Sequence, residues 1–537
     1  MSENIPATQY AIQITAKNEL RVNPAMPVPV PGPGQILLKI EACGICFSDT
    51  KLMHTFESHP RKAPIESGLS AAELAGIPTY RPGSDPIVPG HEPVARIFAV
   101  GEGVTRYQPG QRVLVQTDYR HLPTTASNAS FGYDFDGALE EYALVDQRMV
   151  IDPGSDESYL IPVGEEPASS AIALIEPWAC VENAYSCRER QSVLPGGRVL
   201  VCVSPGYEPV GLDEAVAAAG ERVDVPGTLE LPEGLFDDIV YVGADTEVVE
   251  ELGLHLAKQG LMNIVTCGRL FDQTVNLDPG RVHYDLIRYC GTVGSDVREG
   301  YRWIPANCEL RPYDKVAVIG AAGPMGLIHA VRAVTAGAYM IAVDAADVDD
   351  DRLGRLHAVL EPIAARQGVP VRVLNSIQSP LPPQSYTYVA LMVPSPALLD
   401  QALSLAARGA IVNAFAGFAV GTVAPLDLNA ILGRQIYLVG TSGSRVCDME
   451  TVWRRVESGT VDTNISLDAI SGIAGVPDAI ASVDNRTSQG KIMVYPELHD
   501  LGLIRLADLN DKMPEVAAAM DGGRWTKQAE QVLLGNE

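Results

Sequence analysis

The sequence predicts a mixed α/β protein: a barrel-like β domain followed by doubly wound parallel α/β layers, part of which is written twice. Three observations predict it. Up to about residue 190, short strand-like runs are separated by Gly and Pro turns. From about 197 to 465, strands alternate with helical stretches, the pattern of parallel α/β layers. Within that region one order of segments recurs, each time ending in Gly-Thr-x-Gly-Ser, at Gly291–Ser295 and at Gly440–Ser444.

In the β domain, read as residues 1–190, the runs 35–40, 93–100, 111–116 and 138–145 alternate at the strand period of two. The stretch 176–190 carries apolar residues at helical intervals and leads onward. Residues 191–310 then read as an inserted partial domain, and 311–464 as a complete one. In the first, Asn263-Ile-Val-Thr, Val275-Asn-Leu-Asp278 and Ile287-Arg-Tyr-Cys-Gly-Thr292 follow in order. In the second they are echoed by Ala410-Ile-Val-Asn, Ala424-Pro-Leu-Asp427 and Ile436-Tyr-Leu-Val-Gly-Thr441. The later copy opens with a strand that runs into a Gly-rich turn. The earlier lacks that turn, so 199–203 is read as the counterpart of the later copy's second strand. Residues 481–494 read as a closing strand, completing the β domain over about 465–500, and 501–537 as a helical appendix.

A length of 537 residues suggests about three domains. The 40 basic against 67 acidic residues give a formal charge of −27, a field that disfavours nucleic acid and anionic lipid. The start carries no basic region followed by an apolar core, and no run of about 18 apolar residues occurs, so neither export nor a membrane span is expected. Nine scattered cysteines fit reduced thiols in the cytoplasm.

Gly320, Gly323 and Gly326, with Pro324 and Met325 between them, form a Gly-rich turn from strand to helix. Such a turn lets backbone amides and a helix N-terminus approach a pyrophosphate. Asp344 is read as ending the next strand, where a carboxylate accepts from ribose hydroxyls and repels a 2′-phosphate, favouring NAD over NADP. The acidic run 347–351 is read as a solvated loop.

Cys46 in Glu41-Ala-Cys-Gly-Ile-Cys-Phe-Ser-Asp49 and His91 in Pro89-Gly-His-Glu-Pro93 offer sulfur and nitrogen to a zinc ion. A carboxylate completes the set, either Glu92 or Glu176, with Glu92 ranked first as direct ligand. Ser48 is placed to take a proton from a coordinated alcohol. Cys43 is read as a small buried hydrophobe.

These motifs resemble the zinc-dependent medium-chain dehydrogenases, which include alcohol and sorbitol dehydrogenases. The resemblance covers about residues 8–190 and 311–497. It implies a GroES-like β-barrel catalytic domain and a Rossmann-type nucleotide domain, with the extra partial Rossmann-like repeat as a departure. It also implies Cys46 and His91 as zinc ligands, Glu92 or Glu176 as the third, and the remaining carboxylate holding a zinc-bound water. Family members often end the proton relay on a histidine three residues after the serine. Here Lys51 stands there, with His54 one turn further. Many members hold a second, structural zinc on four cysteines, but no cysteine occurs between Gln111 and Val150, so one catalytic zinc is expected. Cys46-Phe-Ser-Asp-Thr-Lys51, Gly320–Gly326 and Glu176-Pro-Trp-Ala-Cys-Val181 resemble the bacterial sorbose-1-phosphate reductase-like subgroup most closely. The polar lobe Gly132-Tyr-Asp-Phe-Asp136 suits a polyhydroxylated substrate.

The expected function is hydride transfer between NAD and a secondary alcohol or ketone of a sugar, polyol or sugar phosphate. The alternatives are an epimerase or lyase with tightly bound NAD, and a non-catalytic binding protein on the same frame. Family members commonly dimerise by joining the edge strands of two nucleotide domains, so a homodimer is possible. The insert is expected instead to cap that edge from within the chain, through the strands at Tyr289 and Leu438.

Overall fold

The computed structural model describes residues 5–125, 127–227 and 231–535, which fold as two compact units: Met1–Glu182 with Gly443–Glu537, and Asn183–Ser442.

The first unit is built on an eight-stranded sheet. Its long strand Gln35–Ile45 pairs antiparallel with Glu92–Val100, Tyr142–Asp146 and Lys491–Val494. Residues Ile36, Leu37, Leu38 and Ile40 are all buried, because both faces of this strand are covered. The closing strand is shorter than read: 476–484 is helix, and only Lys491–Val494 joins the sheet. The register sets Gly44 opposite both Glu92 and Met493. A Cβ on Gly44 would lie 2.1 Å from Glu92 Oε2, so glycine leaves room for that carboxylate.

The appendix is part of this unit. Glu530, in helix Lys527–Leu534, accepts from the amides of Ser169 (2.5 Å) and Ser170 (2.9 Å) and from the Tyr495 hydroxyl (2.8 Å). It thereby satisfies the first orphan amides of helix Ser169–Ala173. The polar lobe does not present its acids to solvent. Asp134 and Asp136 are buried, Arg81 pairs with Asp136 at 3.3 Å, and Lys62 donates to the carbonyls of Arg81 and Asp85. Asp136 is thus paired internally, while Oδ2 of Asp134 is buried with no hydrogen-bond partner.

The second unit holds two parallel sheets. One runs Glu221–Pro226, Arg198–Val203, Phe236–Val242, Leu256–Val265, Arg288–Thr292. The other runs Val371–Asn375, Ala342–Asp347, Lys315–Ile319, Tyr386–Leu391, Ala406–Ala414, Tyr437–Val439. The order is the same apart from the extra outer strand Val371–Asn375. Arg198–Val203 thus takes the place of Lys315–Ile319, the later copy's first strand, and not of its second. The second-strand place belongs to Glu221–Pro226, a half-exposed strand without an apolar signature. The crossover helix between them has shrunk to Leu212–Val216.

The two copies meet about a local two-fold axis. Val275–Leu277 pairs antiparallel with Ala424–Leu426 so that Asn276 faces Pro425, its own counterpart. A Cβ on Gly291 would meet Leu432 Cδ2 at 2.8 Å, and one on Gly440 would meet His283 Cα at 2.9 Å. Gly291 and Gly440 are counterparts, as are His283 and Leu432. Such reciprocity is the signature of an isologous interface. The edge strands Arg288–Thr292 and Tyr437–Val439 belong to separate sheets, not to one continuous sheet. They nevertheless lie side by side, and Arg288 Nη2 takes the Gly440 carbonyl at 2.9 Å, an acceptor that a shared ladder would need.

Candidate metal centre and cofactor turn

In the first unit, Cys46 is the N-cap of helix Phe47–Thr55. Asp49 at its third position accepts from the Cys46 amide at 2.8 Å, closing the first turn. The other oxygen of Asp49 faces His91 Nδ1 at 3.2 Å and accepts from the Gly90 amide at 3.3 Å. This sets a carboxylate beside the imidazole, as in carboxylate–histidine–metal groupings, although His91 Nδ1 is buried without a hydrogen bond of its own. The ligand atoms of Cys46, His91 and Glu92 all lie within 4.8 Å of one another.

Glu92 is fully buried. Its Oε1 takes a 2.5 Å ion pair from Lys491, while its Oε2 is buried with no hydrogen-bond partner. A buried carboxylate oxygen left bare beside a thiol and an imidazole is what a zinc ligand requires. Burial opposes the charge of Lys491, but Glu92 and Cys46 outweigh it and raise its pKa. Burial likewise opposes protonation of His91, yet Tyr133 and Asp49 hold its pKa well above the ordinary value.

Glu176, on helix Ile175–Ser186, lies outside the 4.8 Å group. Burial, then the charge of Glu92, pushes it up to about 7, and Cys180 donates to its Oε1 at 3.4 Å. Ser48 is half-buried in the first turn of Phe47–Thr55. Lys51 lies on the next turn with its ammonium 5.5 Å from the Phe47 ring. His54 is not placed for a relay: its two nitrogens are taken by Asn18 (2.6 Å) and Asp484 (2.9 Å) at the surface. The sequence reading missed Lys491, whose only signal was a lysine opening an apolar strand. It also missed Tyr133, whose ring centroid lies 5.3 Å from that of His91.

In the second unit, Lys315–Ile319 runs into the Gly-rich turn and helix Pro324–Val334. Gly320 has φ of 79°, a conformation that disfavours any side chain. A Cβ on Gly326 would stand 2.1 Å from the Gly320 carbonyl, so this glycine lets helix and strand close on each other. A Cβ on Gly323 would meet nothing nearer than 3.6 Å. Gly323 therefore leaves open space at the helix N-terminus, with Pro324 at the first helical position, where a pyrophosphate fits.

The acidic residue at the strand end is Asp347, not Asp344. Gly337 and Met340 take left-handed backbone (φ of 73° and 53°), which delays the strand to Ala342–Asp347. Asp344 is mid-strand, held by Arg372 at 2.7 and 2.5 Å and by the Tyr386 hydroxyl at 2.6 Å. Asp347 ends the strand beside the turn and accepts from the Ala322 amide at 2.9 Å.

Residues 32–154 match the alcohol dehydrogenase GroES-like domain. Over 252 residues the chain is 30% identical to an alcohol dehydrogenase of Rhizobium meliloti (strain 1021), covering 43% of this chain and 63% of that one. It is 28% identical to a zinc-type alcohol dehydrogenase-like protein of Escherichia coli (strain K12), with 48% and 71% covered. It is 27% identical to a sorbitol dehydrogenase of Halalkalibacterium halodurans, with 36% and 48% covered. The match to the first of these relatives spans less than two thirds of its length. Among solved structures, the 2R,3R-butanediol dehydrogenase from Bacillus subtilis shares the fold at a TM-score of 0.53 and 15% identity, over 91% of this chain and 100% of that one. Among the described residues no helix is long and apolar enough to cross a membrane. By these matches the chain is similar to zinc-type alcohol and sorbitol dehydrogenases of the medium-chain kind.

Proposed function

We propose that the chain is a cytoplasmic, zinc-dependent dehydrogenase that moves a hydride between NAD and a secondary alcohol or ketone carbon of a sugar, polyol or sugar phosphate. The observation that carries this reading is the grouping of one ligand atom each from Cys46, His91 and Glu92 within 4.8 Å of one another, with Glu92 Oε2 buried and bare of any hydrogen-bond partner. Cys46, His91 and Glu92 would hold one catalytic zinc, with Glu176 beside them and no zinc in the lobe between Gln111 and Val150. When bound, zinc supplies Lewis acidity at an alcohol oxygen and NAD supplies the hydride acceptor.

The chain's own residues do the rest. Asp49 orients His91, and Lys491 balances the charge of Glu92. Ser48 accepts the alcohol proton at its hydroxyl oxygen and hands its own proton outward, with Lys51 one turn further along the helix. Glu176, near 7, can hold or release a proton close to neutrality. In the second unit, Gly320, Gly323, Pro324, Met325 and Gly326 shape the pyrophosphate turn. Asp347 is the acid positioned to accept from ribose hydroxyls, which supports NAD over NADP. All nine cysteines are free thiols, in keeping with a reducing compartment.

The test is metal analysis beside an NAD+ reduction screen over polyols, sugars and sugar phosphates. Zinc that falls in Cys46→Ser, with NADH formed from one of the three classes, supports the reading. Zinc-loaded protein that forms no NADH from any of them defeats it.

A further inference from the structure

A second group of metal-ligating side chains lies in the second unit and has no part in the chemistry above. Beyond helix Ile175–Ser186 the chain runs antiparallel to residues 306–308: Arg188 is bridged to Asn307, and the Glu189 amide donates to the Ala306 carbonyl at 3.2 Å. This register sets Cys187 directly opposite Cys308, with Glu189 two residues on and on the same face. The two sulfurs and a Glu189 oxygen all lie within 4.8 Å of one another. Cys308 is fully buried and Cys187 half-buried, which leaves an entry on the Cys187 side.

Glu189 stands on the local two-fold axis. Arg288 donates to it from Nε at 2.8 Å and Nη2 at 3.2 Å, and the Tyr437 hydroxyl donates to Oε2. Arg288 and Tyr437 are counterparts in the two copies, so both halves grip one carboxylate.

We propose that Cys187, Glu189 and Cys308 form a second metal site, for a borderline-soft divalent cation such as Zn2+, on the axis that relates the two copies. Two thiolates and a carboxylate are a donor set that zinc takes and that magnesium or calcium does not. Arg288 and Tyr437 supply the outer hydrogen bonds that orient a ligating carboxylate. Zinc with sulfur at about 2.3 Å needs ligand atoms about 3.8 Å apart, a spacing that lies inside the 4.8 Å within which these atoms are grouped.

Charge favours the exchange. Glu189 and Arg288 cancel in charge as an ion pair at 2.8 Å. With metal, one dication replaces two protons, which leave to solvent, and the two thiolates keep the sum at zero. A buried site that is neutral in both states avoids the cost of an unpaired buried charge. The Arg288–Glu189 pair alone needs no sulfur; the two facing thiols are what a plain structural ion pair leaves unexplained.

The experiment uses full-length Cys46→Ser protein, which lacks a ligand of the first centre, stripped of metal and titrated with Co2+. About one equivalent should bind with strong near-ultraviolet thiolate-to-cobalt absorption and release of two protons per ion. Adding Cys187→Ser, a conservative change at a half-buried position, should abolish that absorption, and Cys308→Ser should repeat the loss. Absence of the absorption in Cys46→Ser overturns the proposal. So does absorption that survives Cys187→Ser, or a Cys187–Cys308 disulfide in protein kept under thiol reductant. No activity is read, so the outcome is independent of the dehydrogenase reading.

Discussion

Gly323 and Gly326 stand three residues apart in one turn, and alanine at each should do opposite things. At Gly326 the new Cβ would lie 2.1 Å from the Gly320 carbonyl oxygen and 2.7 Å from Ala321 Cα. Those are backbone atoms and cannot swing aside, so helix Pro324–Val334 has to move off the strand. Overpacking of that kind costs about 1–3 kcal/mol. At Gly323 the nearest atom is 3.6 Å away, and φ of −78° with ψ of 167° suits alanine. Removing glycine's freedom in the unfolded chain should then stabilise by about 0.4–1 kcal/mol. The same methyl stands where a pyrophosphate would approach, so NAD affinity should fall by about tenfold or more, at least ~1.4 kcal/mol. Urea unfolding gives the first quantity and calorimetric titration with NAD+ the second. If Gly323→Ala destabilised the fold as Gly326→Ala does, or bound NAD+ as the unsubstituted protein does, the assignment of this turn to the cofactor would be wrong.

Two further substitutions test the interior. Lys491→Met leaves Glu92 buried without its partner, at a cost of about 3–5 kcal/mol in metal-free protein. Added zinc should recover part of that loss, and urea midpoints that shift equally with and without zinc would refute a cation site at Glu92. His329, fully buried on helix Pro324–Val334, is held at about 3 by burial and by Arg332. A folded value below the unfolded 6.5 means its contribution is whole above pH 6.5 and is lost as pH falls towards 3. In His329→Gln the slope of stability against pH should flatten by close to one proton between about pH 6.5 and 4, and an unchanged slope would refute the buried neutral histidine.

The parts of this protein that could be read in the sequence are those where the signal is local. Cys46 and Asp49 share one helical turn, His91 and Glu92 are adjacent, and Gly320 to Gly326 occupy one turn, so spacing alone brings each set together. Lys491 escaped because its pairing with Glu92 depends on a strand returning from nearly 400 residues away. Asp344 reads as the strand end, and 347–351 as loop, because Gly337 and Met340 displace the start of the strand and a left-handed methionine carries no pattern. The earlier copy was misaligned for a related reason. Its second strand, Glu221–Pro226, is polar and half-exposed, and its crossover helix has only five residues, so neither shows a period.

The duplication makes sense as an interface more readily than as a second site. At the C-terminal end of the earlier sheet, a Cβ on Gly243 would strike the Tyr241 hydroxyl at 2.3 Å, and one on Gly227 would strike Ser204 at 2.5 Å. That end is filled by the protein's own side chains where the later copy has an open glycine turn. What the earlier copy keeps intact is the opposite asset: the strand Val275–Leu277, the glycine at 291 and the helix around His283, each of which meets its counterpart's partner across the axis. An unpaired sheet edge is a template for association. Here the edge at Tyr437–Val439 already has Arg288–Thr292 beside it and an arginine on the Gly440 carbonyl just past its end. A second chain pairing at this edge would have to displace Arg288–Thr292, which the same chain already sets beside it.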